Sequence, residues 1–356
     1  MKRQSNRNHQ FDLLRILFAT LVLLSHASEL ATGDASREPL YRLTRTPMTF
    51  GTLAVDGFFV LSGYLIVQSW LSDPELINFL RKRVLRIFPG YLVAVALSTL
   101  AVGLLAPGID HFFRHLGGMF LKSVVFLTGP MTPPVFPGQP FPMVNGAMYT
   151  IAYEFRCYLL VAFLGLCGLF RRPIVCLVIT CLLMSTLLYM AVFEHIHPYK
   201  DFYIGKPPLT VRLTAIYLVG VCFYLFRKQI TFRPWLALTV TAGAIGFVVL
   251  FPAKVEFAMV LGGSYLMFYL GQVSLPWLSG MSRFPDISYG IYLYGWPVES
   301  LWIWFHRGSP WVTFFVSTII CFGLGWLSWH LVERPALTLK RRPSAKRSPS
   351  VPVPVA

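Results

Sequence analysis

The chain has 356 residues, of which 55% are hydrophobic and 13% charged, with a mean hydropathy of +0.61. That is too apolar for an ordinary soluble domain and points to an all-α polytopic membrane protein. Lys and Arg number 31 against 15 Asp and Glu, a net charge of +16 that in a soluble chain would suggest nucleic acid. Here the basic residues sit in short clusters between apolar runs, a pattern set by membrane orientation, so no nucleic-acid partner is expected.

The first apolar run, 11–30, follows Lys2, Arg3 and Arg7 and so mimics a signal peptide. Arg15 and His26 lie inside it and are foreign to such a segment, so it is expected to be retained. Further runs at 51–72, 83–106, 147–170, 173–192, 209–226, 234–251, 255–272, 285–306 and 311–333 bring the count to about ten transmembrane helices. The weaker stretch 116–128 precedes GPMTPPVFPGQPFPMVNG and is too short to span, which predicts a re-entrant or surface helix.

In this arrangement one side carries about twice as many Lys and Arg as the other, including Arg171, Arg172, Arg227 and Lys228, so both termini are expected in the cytoplasm. Residues 1–335 form one transmembrane domain. The basic, Pro-rich stretch 336–356 reads as a disordered cytoplasmic tail with weak attraction to anionic membrane lipid. The six cysteines lie in or beside apolar runs without metal-ligand spacing, so neither a disulfide nor a metal is expected.

Ionisable residues inside apolar runs are costly and mark candidate chemistry. Arg15 and His26 are eleven residues apart, close to three helical turns, so they share one face about 16 Å apart along the axis. Arg15 can alternatively snorkel or pair with Asp12, and His26 can simply hydrogen-bond a neighbouring helix. Arg83 and Arg86 form an i,i+3 pair at the cytoplasmic border, suited either to anchoring the helix or to binding phosphate. In VDGFFVLSGYLI, Asp56 lies at the outer end while Ser62 and Gly63 are small residues at mid-depth, suited to close packing. Ser62 is also a possible nucleophile, but no base lies near it in sequence. Glu154 and Tyr158 are an i,i+4 pair in NGAMYTIAYEFRCYLL, placing Glu154 at the membrane level of His26. There it can orient the imidazole, bind sugar hydroxyls or pair with Arg156.

Taken in order, these segments resemble the acyltransferase 3 family of integral membrane O-acyltransferases across nearly the whole chain. The resemblance rests on Arg15 to His26 with Asp12 before it, FFVLSG at Phe58 to Gly63, RVLRIFP at Arg83 to Pro89, YTIAYEF, SYGIYLYGWP and the ending Glu333 to Pro335. Tyr149 stands at a usual Trp, and Gly295 stands where the family usually has His, so no role of that histidine transfers.

The resemblance implies transfer of an acyl group, usually acetyl, from cytoplasmic acyl-CoA to a hydroxyl of a carbohydrate or glycolipid on the far face of a bacterial-type inner membrane. On that implication Arg83, Arg86 and Arg15 hold the phosphates of acyl-CoA, and its arm follows the Arg15–His26 face. His26 is the general base and Glu154 orients the imidazole or the sugar, with Asp12, Ser62 and Tyr158 in support. Direct transfer and a covalent acyl-enzyme are both open. The rival class is a proton-coupled transporter or flippase, in which Arg15, His26 and Glu154 form a pathway rather than a reaction centre.

Overall fold

Backbone that lipid cannot hydrogen-bond must close its bonds within the chain, and among the described residues every regular element is helical. The computed structural model describes residues 9–105, 116–130, 132, 134–193, 207–272 and 285–339. In order, the helices are α1 (His9–Thr32), α2 (Pro39–Thr44), α3 (Phe50–Ser72), α4 (Leu76–Leu105), α5 (Leu116–Phe126), α6 (Thr150–Leu166), α7 (Pro173–Phe193), α8 (Pro207–Leu225) and α9 (Pro234–Leu250). There follow α10 (Val255–Ala258) and α11 (Ser264–Gln272), joined by a π-helical turn at Met259–Gly263, and α12 (Ser288–His306). Last come α13 (Pro310–Ser328) and α14 (Arg334–Thr338), joined by a second π-helical turn at Trp329–Glu333. Five segments are long and apolar enough to cross a bilayer: Gln10–Thr32, Phe50–Ser72, Leu76–Leu105, Pro208–Leu225 and Pro310–Thr338. Of the expected basic tail, 336–338 are the end of α14 and 340–356 lie outside the described residues.

One boundary differs from expectation in a way that matters for the site. The helix expected from 83 begins at Leu76, because Lys82 closes the corner with α3 through a 2.6 Å ion pair to Asp73. Arg83 and Arg86 are therefore about two turns inside α4 rather than at its first residues. The stretch expected as a short non-spanning helix is α5, whose 11 residues extend only about 16 Å. Tyr91 of α4 fixes its exit, donating to the Ser123 carbonyl at 2.8 Å and accepting from the Gly129 amide at 3.0 Å.

Paired contacts give the directions of the central helices. Phe11 meets Tyr64, Phe18 meets Phe58, and a Cβ added at Gly51 would touch Ser25, so α1 and α3 run antiparallel. Arg15 meets Asp286 and His26 meets Trp296, so α12 runs parallel to α1. Asp56 meets Arg212 while Gly63 approaches Tyr217 and Val221, so α8 runs parallel to α3. These are the directions that alternating spans require.

The α3–α8 crossing depends on two glycines. A Cβ at Gly63 would stand 2.0 Å from the Tyr217 carbonyl oxygen, and one at Gly220 would stand 1.9 Å from that of Val60. Only backbones without side chains can meet so closely. At one end of this pair Arg212 bridges Asp56 of α3 and Glu256 of α10, each at 2.5 Å, so the Asp56 flagged in the sequence has a cationic partner.

α12 carries Pro297 in its interior, which removes the amide that would bond the Leu293 carbonyl. Asn145 Nδ2 supplies the missing donor at 2.9 Å, and its Oδ1 accepts from the Ala147 amide at 3.1 Å. The Tyr292 hydroxyl bonds the Ala147 carbonyl and the Thr150 hydroxyl. The Pro-rich segment is thus pinned to the second turn of α12, and this sets where α6 starts.

Candidate active site

Seven of the eight residues singled out from sequence line the same cavity of about 710 Å³: Asp12, Arg15, Ser62, Arg83, Arg86, Glu154 and Tyr158. Its walls come from α1, α3, α4, α6 and α12 with the second π-helical turn. His26, the eighth, does not line it.

At one side of the cavity the cations meet carboxylates from the end of the chain. Arg15 Nη1 donates to Asp286 Oδ2 at 3.2 Å, and Arg86 Nη2 donates to the same oxygen at 2.6 Å. Arg86 Nη1 also donates to Glu333 Oε2 at 3.2 Å. Ser288 donates to Asp286 Oδ1 at 2.5 Å and Ser328 to Glu333 Oε1 at 3.2 Å, so each carboxylate is held from both sides. The Arg86 guanidinium also lies near the Tyr289 and Trp329 rings, 5.7 and 5.8 Å from their centres. Buried ions persist only when paired and hydrogen-bonded, and this cluster meets both conditions.

Arg83 is different. Its Nη2 donates to the Ser69 hydroxyl at 3.3 Å, its guanidinium lies near the rings of Phe79 and Tyr158, and its Nε is enclosed without a partner. It forms no ion pair among the described residues, although its neighbour one turn on forms two.

Glu154 is the other surprise. Its Oε1 accepts from Ser62 Oγ at 3.0 Å and from the Tyr158 hydroxyl at 2.6 Å. The sequence pattern sets Glu154 level with His26. The α1–α3 register instead places Ser62 beside the turn of α1 that holds Arg15, about three turns from His26, and Glu154 goes with Ser62. The cause is the inward fold of the Pro-rich segment: α6 begins beside the second turn of α12, so the first turn of α6 lies deep. Ser62, which has no base near it in sequence, thereby gains one in space. Arg156, the alternative partner of Glu154, lies over the Tyr153 ring at 4.9 Å.

Phe58 and Tyr292 line the cavity, and the aromatic contacts Phe18–Phe58 and Phe58–Tyr292 form a layer between Arg15 and His26. On the far side of this layer His26 packs edge-on against Trp296, with ring centres 5.0 Å apart, and its Nδ1 is enclosed without a hydrogen-bond partner among the described residues. Gly295 lies beside Leu23 of α1; a Cβ there would stand 2.6 Å from Leu23 Cδ2.

Sequence reasoning misses Asp286, Trp296 and the pairing role of Glu333. Glu333 is visible only as part of the ERP ending. Asp286 carries a weaker signal, as a carboxylate two residues before the SYGIYLYGWP run that opens α12.

The arrangement unites a paired cationic wall, a guanidinium with no ion pair among the described residues, a carboxylate bonded to a hydroxyl, and an imidazole farther along the same helix face. Comparison with known proteins identifies its class. The family described as an acyltransferase domain matches residues 8–330. The chain is 28% identical to nodulation protein 10 from Rhizobium leguminosarum bv. viciae, over 97% of this chain and 98% of that one. It is 25% identical to an O-acetyl transferase from Shigella phage Sf6, over 94% of this chain and 97% of that one. No solved structure matches. The chain therefore belongs to the acyltransferase 3 family, as a membrane O-acyltransferase.

Proposed function

We propose that this enzyme transfers an acyl group, specifically acetyl, from cytoplasmic acyl-CoA to a hydroxyl of a carbohydrate or glycolipid on the opposite face of a bacterial-type inner membrane, with both termini cytoplasmic. The similarity to a phage O-acetyl transferase supports acetyl as the group moved. The observation that carries the reading is the cavity holding Arg15, Arg83, Arg86 and Glu154 at one end of the α1 face that leads to His26.

Arg83 is the best placed to take an anionic oxygen, since it has an enclosed Nε with no partner and no carboxylate competing for it among the described residues. Arg15 and Arg86 spend some of their N–H donors on Asp286 and Glu333, but a guanidinium has five, so donors are left for a phosphate. Asp12 and Tyr158 complete this wall. A long thioester-bearing arm then extends along α1, past Phe58 and Tyr292, towards His26. Neutral His26 accepts the proton of the attacking hydroxyl as the carbonyl carbon is attacked, and the departing thiolate takes that proton.

The test uses membranes supplied with radiolabelled acetyl-CoA. Transfer of label to glycan is expected to fall at least about 100-fold in His26→Ala at equal protein level. Unchanged transfer overturns the assignment of the base.

A second reading is favoured by the 3.0 Å bond from Ser62 to Glu154 inside the cavity. A hydroxyl bonded to a carboxylate, itself oriented by Tyr158, has the form of an activated nucleophile, and Ser62 would carry the acyl group between two half-reactions. Acid-quenched protein with an acetyl ester at Ser62, absent in Ser62→Ala, would establish it. Single-step kinetics with no such ester would leave direct transfer.

A further inference from the structure

Two rings in contact outside the residues that line the cavity each carry an enclosed polar atom with no hydrogen bond among the described residues: Nδ1 of His26 and Nε1 of Trp296. Their rings meet edge to face with centres 5.0 Å apart. An enclosed polar atom without a partner is costly. The indole nitrogen can only donate, and Nδ1 of a neutral imidazole protonated on Nε2 can only accept. The group complementary to both is one that donates and accepts through a single atom, and a hydroxyl does this.

The pair is held in place from several directions. Phe141 packs edge-on to the indole at 5.7 Å, and a Cβ at Gly146 would stand 2.6 Å from it, so the ring cannot turn freely. Gly295 lets Leu23 close against the backbone of α12. Leu23 is one turn before His26 and Gly295 is the residue before Trp296, so the bare backbone at 295 draws the two rings together. A side chain at that position would require the end of Leu23 to shift.

We propose that Trp296 Nε1–H and His26 Nδ1 together hold the acceptor hydroxyl, a proposal that rests on the reading of His26 as the base. The indole donates to the hydroxyl oxygen and so fixes it, while the hydroxyl proton points at the imidazole. On attack a C–O bond forms at the thioester carbonyl and the C–S bond breaks. The proton passes from the hydroxyl to Nδ1 and then to the leaving thiolate, giving an ester and a free thiol. The alternative is that the indole contributes only its aromatic face, against which the imidazole rests.

The experiment measures transfer of radiolabelled acetyl from acetyl-CoA to glycan, in membranes of source cells whose own copy has been replaced by each variant. Trp296→Phe keeps an aromatic face and removes the N–H; the rate is expected to fall about 10- to 100-fold with the KM for acetyl-CoA unchanged. Trp296→His restores a ring N–H and should recover part of that loss, which guards against a mere packing defect. A wild-type rate in Trp296→Phe, or no recovery in Trp296→His at equal folded protein, overturns the proposal. Transfer that survives His26→Ala sinks the base assignment and this proposal together. Transfer abolished in His26→Ala but normal in Trp296→Phe sinks this proposal alone.

Discussion

The two ends of the Arg15–His26 face treat polar groups in opposite ways. At Arg15 the charges are paired: two guanidinium groups share Asp286, Arg86 also holds Glu333, and two serines bond the same carboxylates. At His26 an imidazole nitrogen and an indole nitrogen are enclosed with no partner among the described residues. A satisfied ionic network fixes the packing of the helices it joins, whereas an unsatisfied polar pair costs stability and is poised to bind. One end of α1 therefore holds α1, α4, α12 and the π-helical turn together, and the other is where substitution should change chemistry more than folding.

The largest effect that could break this contrast is at Asp286. Asp286→Ala leaves Arg15 without its carboxylate partner and Arg86 with Glu333 alone. Removing one partner of a buried pair typically costs about 3–5 kcal/mol. Arg15 is 26% exposed, which screens part of its charge and favours the lower end of that range, about 3 kcal/mol. The thermal-unfolding midpoint of the detergent-solubilised protein should drop by several degrees, with Asp286→Asn falling between. An unchanged midpoint would show that the cluster does not hold the helices.

Arg83 sharpens the contrast within the cationic wall itself. It has no carboxylate partner among the described residues, so Arg83→Ala should disturb folding little and weaken binding instead. The expected result is a KM for acetyl-CoA raised about tenfold with kcat nearly constant, equivalent to about 1.4 kcal/mol of uniform binding. A fall in kcat at constant KM would move Arg83 from anchoring the donor to the chemical step.

How much of this is legible in the sequence follows from how far apart the contacts lie in the chain. The apolar runs and the Arg15–His26 face are local, repeating along one helix, and both can be read directly. So can the small-residue packing at Gly63, although not its counterpart Gly220, because nothing in the sequence fixes which helix crosses there. Asp286 pairs with residues 200 and 271 positions away, and Ser62 with one 92 positions away, so no spacing rule could join them. Glu154 is set at the wrong depth by its sequence position because its level depends on a hydrogen bond from Asn145 to a carbonyl freed by Pro297, a tertiary repair that hydropathy does not encode.

The smallest expected change in stability is the most informative about the His26 end. His26→Phe keeps an aromatic ring against Trp296 and removes an enclosed nitrogen that has no partner among the described residues. Replacing an unsatisfied polar group by an apolar one of similar shape is nearly neutral or favourable, so the variant should match the native protein or exceed it by up to about 1 kcal/mol. Its acyl transfer should nevertheless be lost, as in His26→Ala. Stability gained where activity vanishes is the mark of a group kept for its chemistry. A variant that lost stability by several kcal/mol, as in Asp286→Ala, would instead make His26 a structural member of the bundle, and the difference between the two ends of α1 would disappear.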